Sequence, residues 1–372
     1  MLSYLSPTSG IVGTIKNSPE DFIVEEIASD GTIFELNKKI EKNTKDGKFV
    51  HFVLQKKDWS TADAIKIIAK NLRISISRLN FAGTKDKIAT TTQLVSCFGI
   101  DKEKIENLNI KDIRINGTWY ENEKLNLGDL VGNRFRIKVE NTKSNSEQTV
   151  KRIFEELNGR IPNYFGEQRF GTTRKNTHIV GEKIIRNRLK DAMMTFLCDS
   201  EGEEHEESKL ARKELLATKD FEQALKIFPK HLRLERSAIA HLAEHENDFA
   251  GAFRKLPRNI LLLFIHAFQS YMFNILLSEK IKNKENLQGE GNIIGYESEL
   301  TERENKLLEE LGIRKEDFKI KSLPEISSKG TKRALLVELK DFSFVNDVFR
   351  FSLPSGSYAT VAMREFLDEV KV

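Results

Sequence analysis

FVHFVLQKKDWSTADAIKIIAKNL, residues 49–72, holds the first clear strand and the first clear helix of the chain. Phe49, His51 and Val53 alternate with Val50, Phe52 and Leu54, an almost continuous apolar run that predicts a strand buried on both faces. Ser60, Thr61, Ala62 and Asp63 then have the spacing of a capping box. Ile65, Ile68, Ala69 and Leu72 recur at helical intervals, so a helix is expected directly after the strand.

Downstream, FAGTKDKIATTTQ (residues 81–93) leads into a strand expected over residues 93–98. In residues 134–139, Phe135, Ile137 and Val139 alternate with Arg134, Arg136 and Lys138, so one face packs and the other meets solvent or phosphate. From about Ile161 the pattern turns helical, through KDFEQALKIF, residues 237–253 and the long apolar stretch 260–281. Strand signals return near the end in ALLVEL and VFRFSL, and PSGSYATVAMREFL adds a Gly turn and a helix. Strands early, helices in the middle and strands late predict an α+β fold. We expect a mixed, largely antiparallel sheet built from residues 1–160 plus 330–372, interrupted by a mostly helical insertion at 161–329.

The length of 372 residues suits two domains or one with a large insertion. Apolar residues at 39%, charged residues at 31%, 24 Phe and only 7 Pro argue for packed cores and against extended disorder. The start, MLSYLSPTSGIVGTIK, has no leader pattern and no later stretch is expected to span a membrane, so a cytoplasmic location is expected. Cys97 and Cys198 are the only thiols, which suits a reducing compartment and offers no paired zinc spacing. Net charge is +4. Between Arg160 and Lys190, eight cations (Arg160, Arg169, Arg174, Lys175, Lys183, Arg186, Arg188, Lys190) face only Glu167 and Glu182, a local +6. That segment is read either as a phosphate-neutralising surface or as a solvated helix face. The acidic run 201–207 is read as a solvated loop.

Residues 81–93 have the composition of a site loop: a Gly, an acid between two lysines, then hydroxyls and an amide. Two flanking cations favour the ionised form of Asp86, as carboxylate chemistry requires. The alternative is an ordinary surface turn.

This segment closely resembles the catalytic motif of the TruD family of pseudouridine synthases, at Gly83, Lys85, Asp86, Ala89, Thr91 and Gln93. Further segments match the same family in order: IKNSPEDFIVEE (15–26), GNRFRI (132–137), NYFGEQRFG (163–171) and LPSGSYATVAMRE (353–365). Between Arg174 and Lys329 the match is confined to AFQSYMFN. The resemblance implies a uridine isomerised to pseudouridine in tRNA or another structured RNA, at the position conventionally numbered 13 in tRNA. It implies a basic cleft between two lobes; no metal or organic cofactor and no obligate protein partner are expected, and the chain is expected to be a monomer. It makes Asp86 the catalytic aspartate and places Lys16, Phe22, Asn133, Phe135 and Tyr358 around the target nucleotide. Lys16 would hold the carboxylate ionised, Phe135 would stack on uracil, and Asn133 would meet a uracil edge. Phe22 and Tyr358 would wall the extruded base. Without the resemblance, Phe22 and Phe135 read as core aromatics. NYFGEQRFG reads as a brace, with tight turns at Gly166 and Gly171 and with Arg169 pairing a buried carboxylate or a phosphate.

Two rivals come from other classes. His241-Leu242-Ala243-Glu244-His245 fits HxxEH, in which two histidines one turn apart bind zinc and a glutamate activates water. Ile239, Leu242, Phe249 and Phe253 form the apolar stripe there, which leaves the histidines on a partly solvated flank. The other rival is a non-catalytic RNA-binding relative that keeps the fold.

Overall fold

The computed structural model describes residues 2–143 and 145–368. The chain forms two compact units, Tyr4–Pro162 with Val337–Val372, and Asn163–Leu336 with Met1–Ser3.

The first unit is built on an eight-stranded sheet. Its strands are β1 (Phe22–Ala28), β2 (Phe49–Lys57), β3 (Leu79–Phe81), β4 (Thr90–Phe98), β5 (Ile113–Glu121), β6 (Leu130–Lys138), β7 (Lys340–Val345) and β8 (Val348–Pro354). Their order is β7-β8-β6-β1-β4-β2-β5, with β3 pairing β4. Only β1 and β4 run parallel; every other pair in this sheet is antiparallel. The sheet is therefore mixed and largely antiparallel, as expected.

Helix α1 (Thr61–Leu72) starts where expected, with Ser60 accepting a hydrogen bond from the Asp63 amide. Its Ala64, Ile65, Ile68 and Ala69 pack on Val50, Phe52 and Leu54 of β2 and Val95 of β4. Helix α2 (Ser146–Glu156) and the closing helix Ala359–Phe366 pack with β6 and β8, joining Phe22, Phe135, Ile137, Phe349 and Phe351 in a second apolar cluster. The opposite sheet face is partly covered by Phe34, Val53, Leu94, Trp119 and Leu125.

The second unit is mostly helical. Its longest helix, α3 (Arg258–Lys282, 25 residues), buries Leu261, Phe264, Ile265, Phe268, Met272 and Leu276. This corrects the expectation that no stretch approaches a membrane span: α3 is long and apolar enough to cross one. However, 67% of its most apolar 18-residue window is buried, as in a core helix. We label the closing helix Ala359–Phe366 α4. The helical stretch is also not free of strands, because Glu290–Ile293 pairs with Thr331–Ala334.

Two charge readings change here. The acidic run is not simply a solvated loop: a helix begins at Glu206, and Glu203 bonds the almost fully buried Arg212, which also pairs with Glu235. In the basic stretch, Arg174 reaches Glu235 and the carbonyls of Phe196 and Asp199, while Arg186 binds Glu182 and the Leu311 carbonyl. Those two cations hold the fold together. Lys175 pairs with Glu167 and Arg188 with Asp191 at the surface.

Candidate active site

Strand register sets the site. Lys56 of β2 lies opposite Thr91 of β4, Thr91 opposite Val24 of β1, Val24 opposite Phe135 of β6, and Phe135 opposite Phe351 of β8. One step along, Leu54, Gln93, Glu26, Asn133 and Leu353 form the next row on the same face. Side chains alternate along each strand, so these residues share one surface of the sheet. Helix α1 covers its β2 end and α4 its β8 end, both with apolar contacts. Between them the surface is polar: Lys56, Thr91, Gln93 and Glu26 are all buried there.

Residues 83–89 use that polar strip. Gln93 Nε2 donates to the Gly83 carbonyl at 3.0 Å, and its Oε1 accepts from Thr61 Oγ1 at 2.9 Å. The same Thr61 oxygen accepts the Lys85 amide at 2.9 Å. Lys85 Nζ reaches Glu26 Oε2 at 2.5 Å, with both side chains almost wholly buried, and Glu26 Oε1 accepts the Leu94 amide at 2.9 Å. Lys56 Nζ donates to the Asp86 carbonyl at 2.9 Å and to the Trp59 carbonyl at 2.6 Å. Burial pushes the Lys56 ammonium down to about 8; Lys85 adds to this and Asp86 opposes it. The loop's backbone and lysine are thus anchored downward.

Asp86 is the more open end of this array, its side chain 27% exposed. Lys16 Nζ stands 3.0 Å from its Oδ2 and 4.2 Å from the centroid of the Phe22 ring. Lys16 has φ +62°, a left-handed conformation that costs a non-glycine residue about 1 kcal/mol or more. Phe22 meets Phe135 edge-on at 6.3 Å, and Phe135 meets Phe351 at 5.5 Å. Lys16, Phe22, Phe135 and Asp86 therefore form one contiguous chain of contacts.

Phe22 and Phe135 are buried in the apolar cluster as well, so they belong to the core and to the Lys16 surroundings at once. Asn133 lies opposite Glu26 and Leu353, its Oδ1 buried with no hydrogen-bond partner among the described residues. Tyr358 is half-buried at the N-cap of α4, the helix whose Ala359 packs in the Phe135 cluster. Sequence reasoning passed over Lys56, Thr61 and Glu26 as site residues. The one available signal was the inward alternation of Phe52 and Leu54, which continues to Lys56.

The other motifs lie in the mostly helical unit. Asn274 of α3, within AFQSYMFN, clamps Phe165 of NYFGEQRFG: its Oδ1 accepts the Phe165 amide at 2.8 Å and its Nδ2 donates to the carbonyl at 2.9 Å. Arg333 lies 4.1 Å from the Phe165 ring centroid. Arg169 Nε donates to Ser270 Oγ at 3.3 Å. Gly171 adopts φ +115° and has the Arg174 carbonyl where a side chain would stand, so the turn requires glycine. In HLAEH, His241 Nε2 lies 2.8 Å from Asp248, which caps the next helix at Gly251, and no cluster of three or more metal-ligating side chains occurs among the described residues. Burial raises the thiols of Cys97 and Cys198 to about 11 and 12, which keeps them neutral.

The chain that carries this site matches known proteins along nearly all of its length. The family model for tRNA pseudouridine synthase D (TruD) matches residues 1–299 and 290–366. A protein of Methanosarcina acetivorans named "Probable tRNA pseudouridine synthase D" is 33% identical, over 98% of this chain and 94% of its own. One from Methanococcus maripaludis strain C5 is 37% identical, over 95% of each. The crystal structure of a Methanosarcina mazei protein described as "Putative tRNA pseudouridine synthase D (TruD)" superposes with a TM-score of 0.77 at 32% identity, covering 99% of this chain and 96% of that one. Fold and sequence together define an isomerase of the pseudouridine synthase class. The chain belongs to the tRNA pseudouridine synthase D (TruD) family.

Proposed function

We propose that the carboxylate of Asp86 is the reacting group in the conversion of a tRNA uridine to pseudouridine, at the uridine conventionally numbered 13. The observation that carries this reading is the exposure of Asp86 at the rim of an otherwise buried ionic array, paired with Lys16. The reaction cleaves the N1–C1′ bond, turns the uracil and forms a C5–C1′ bond; C5 loses a proton and N1 gains one. Atoms and electrons balance within the nucleotide. Asp86 serves either by attacking the nucleotide or by abstracting a sugar proton, and in each case it must be ionised. Lys16 Nζ, 3.0 Å away, sets a positive charge beside it.

A uridine stacked in a helix hides its glycosidic bond, so the nucleotide must be turned out to reach Asp86. The orphan Oδ1 of Asn133 suits the imino N–H of uracil, because a buried acceptor without a partner gains most from a ligand donor. Phe22 and Phe135 support Lys16 and the base from beneath, and Tyr358 borders the site. Tyr4–Pro162 with Val337–Val372 would be the catalytic domain, and Asn163–Leu336 the insertion domain. The test is to incubate the full chain with unmodified tRNA under single-turnover conditions and map the product. Pseudouridine at position 13 supports the reading; pseudouridine elsewhere changes the assigned target, and none at any position refutes it.

A further inference from the structure

We infer that Lys56 is a positioning residue for the reaction, holding the main chain of Asp86 so that its carboxylate meets the nucleotide. The inference rests on the assignment of Asp86 above.

Lys56 is a fully buried lysine on a strand that is otherwise apolar on that face. Bringing an ammonium into such a place is unfavourable unless its hydrogen bonds are met. No carboxylate forms an ion pair with it among the described residues; Asp86 and Lys85 are the charged groups that act on it. What meets it is backbone. Its Nζ binds the carbonyls of Trp59, just before α1, and of Asp86 itself, spanning 3 and 30 positions of sequence.

A residue needed only for packing would be a leucine or methionine, as Leu54 is one step away on the same face. Here a buried cation grips the peptide carbonyl of the residue proposed to react. Its position is fixed from both flanks, by Thr91 of β4 and by Ile113 of β5. The loop has further anchors at Gly83 and Lys85, while Lys16 holds the Asp86 side chain. Lys56 is a tie at the Asp86 main chain. A small shift of a reacting group costs far more in rate than in binding.

Lys56 carries its proton below about pH 8 and loses it above. The groups around it are Asp86 and Lys85 on the loop, with Glu26 of β1 reached through Lys85; Thr91 and Ile113 on the adjoining strands carry no charge. Deprotonation weakens its hold on the two carbonyls, so the rate should fall on the alkaline side.

The experiment compares wild type, Lys56→Met and Asp86→Asn by single-turnover conversion of unmodified tRNA from pH 6 to 9. Each protein's tRNA affinity and melting temperature are measured alongside. Lys56→Met, which keeps length and removes the charge, should lower the rate constant roughly 10- to 100-fold, the scale of a lost charged hydrogen bond. Its tRNA affinity should stay within about threefold, and the alkaline limb near pH 8 should disappear from its profile. Should Lys56→Met not fold, the wild-type profile and Lys56→Gln carry the test by the same criteria. A wild-type rate in the substituted protein, parallel losses of rate and affinity, or an unchanged alkaline limb would overturn the inference. Wild-type activity in Asp86→Asn would instead overturn the assignment of Asp86.

Discussion

The ammonium of Lys16 lies 3.0 Å from the Oδ2 atom of Asp86, and the lysine is nearly buried while the aspartate side chain is 27% exposed. The pair is lopsided in a useful way: the cation lies over the Phe22 ring below the surface, and the anion is the more exposed partner. Lys16→Met removes the charge and keeps the packing over Phe22. Single-turnover pseudouridine formation should slow roughly 10- to 100-fold, with tRNA affinity changed less than threefold. Equal losses of rate and affinity would mean that Lys16 serves binding instead.

Glu26 and Lys85 make the other tie of the loop, and here both partners are buried. Glu26→Gln leaves the Lys85 ammonium without its counter-charge, which should cost about 3–5 kcal/mol. A large drop in the melting temperature of the full chain checks this. A shift of only a degree or two would show that the pair contributes little to the fold.

Phe135 packs between Phe22 and Phe351 with little exposure, so it serves the core as much as the site. Phe135→Ala should destabilise the protein by about 3–5 kcal/mol, before any effect on base capture is counted. Phe135→Leu retains most of the volume and isolates the aromatic face. It should weaken saturation by tRNA or the rate at saturation by a factor reflecting about 1–3 kcal/mol if the ring stacks on uracil. Activity equal to wild type in Phe135→Leu would leave Phe135 with a packing role alone.

The basic stretch 160–190 divides by its contacts. Arg174 and Arg186 are tied to Glu235 and Glu182 and to carbonyls. Arg174→Ala should lower the melting temperature without flattening the dependence of tRNA affinity on salt. Lys190 and Arg160 pair with no carboxylate among the described residues, and removing both should reduce the salt slope by roughly two if they meet phosphates. An unchanged slope places the RNA elsewhere.

These contacts show what the sequence could and could not reveal. The apolar run 49–54 and the periodic 65–72 were legible because alternation and helical spacing are local, and the structure has strand and helix at Phe49–Lys57 and Thr61–Leu72. The change from strands to helices near residue 161 gave the mixed fold for the same reason. Asp86 stood out only through the motif around it. Lys56 did not, because two lysines closing a strand read as a solvated end, and its partner carbonyl lies 30 residues on. Arg174 and Arg186 were readable as charge but not as structure, since Glu235 and Leu311 are 61 and 125 positions away. Asn274 was similarly opaque: its clamp on Phe165 spans 109 positions. Pairings of that range are set by the fold, which local pattern cannot supply.

Asp86→Asn isolates the charge of this carboxylate by keeping the size and a hydrogen-bonding oxygen of the side chain. The Lys56 contact to the main chain survives, because it involves only the carbonyl of residue 86. The decisive measurement is the yield of pseudouridine from unmodified tRNA at saturating protein, made together with tRNA affinity. If Asp86 is the reacting carboxylate, Asp86→Asn should give no detectable conversion, with affinity equal to wild type or slightly tighter because a repulsive anion has been removed. Conversion at a rate close to wild type would contradict that assignment, and the reacting carboxylate would have to be sought elsewhere.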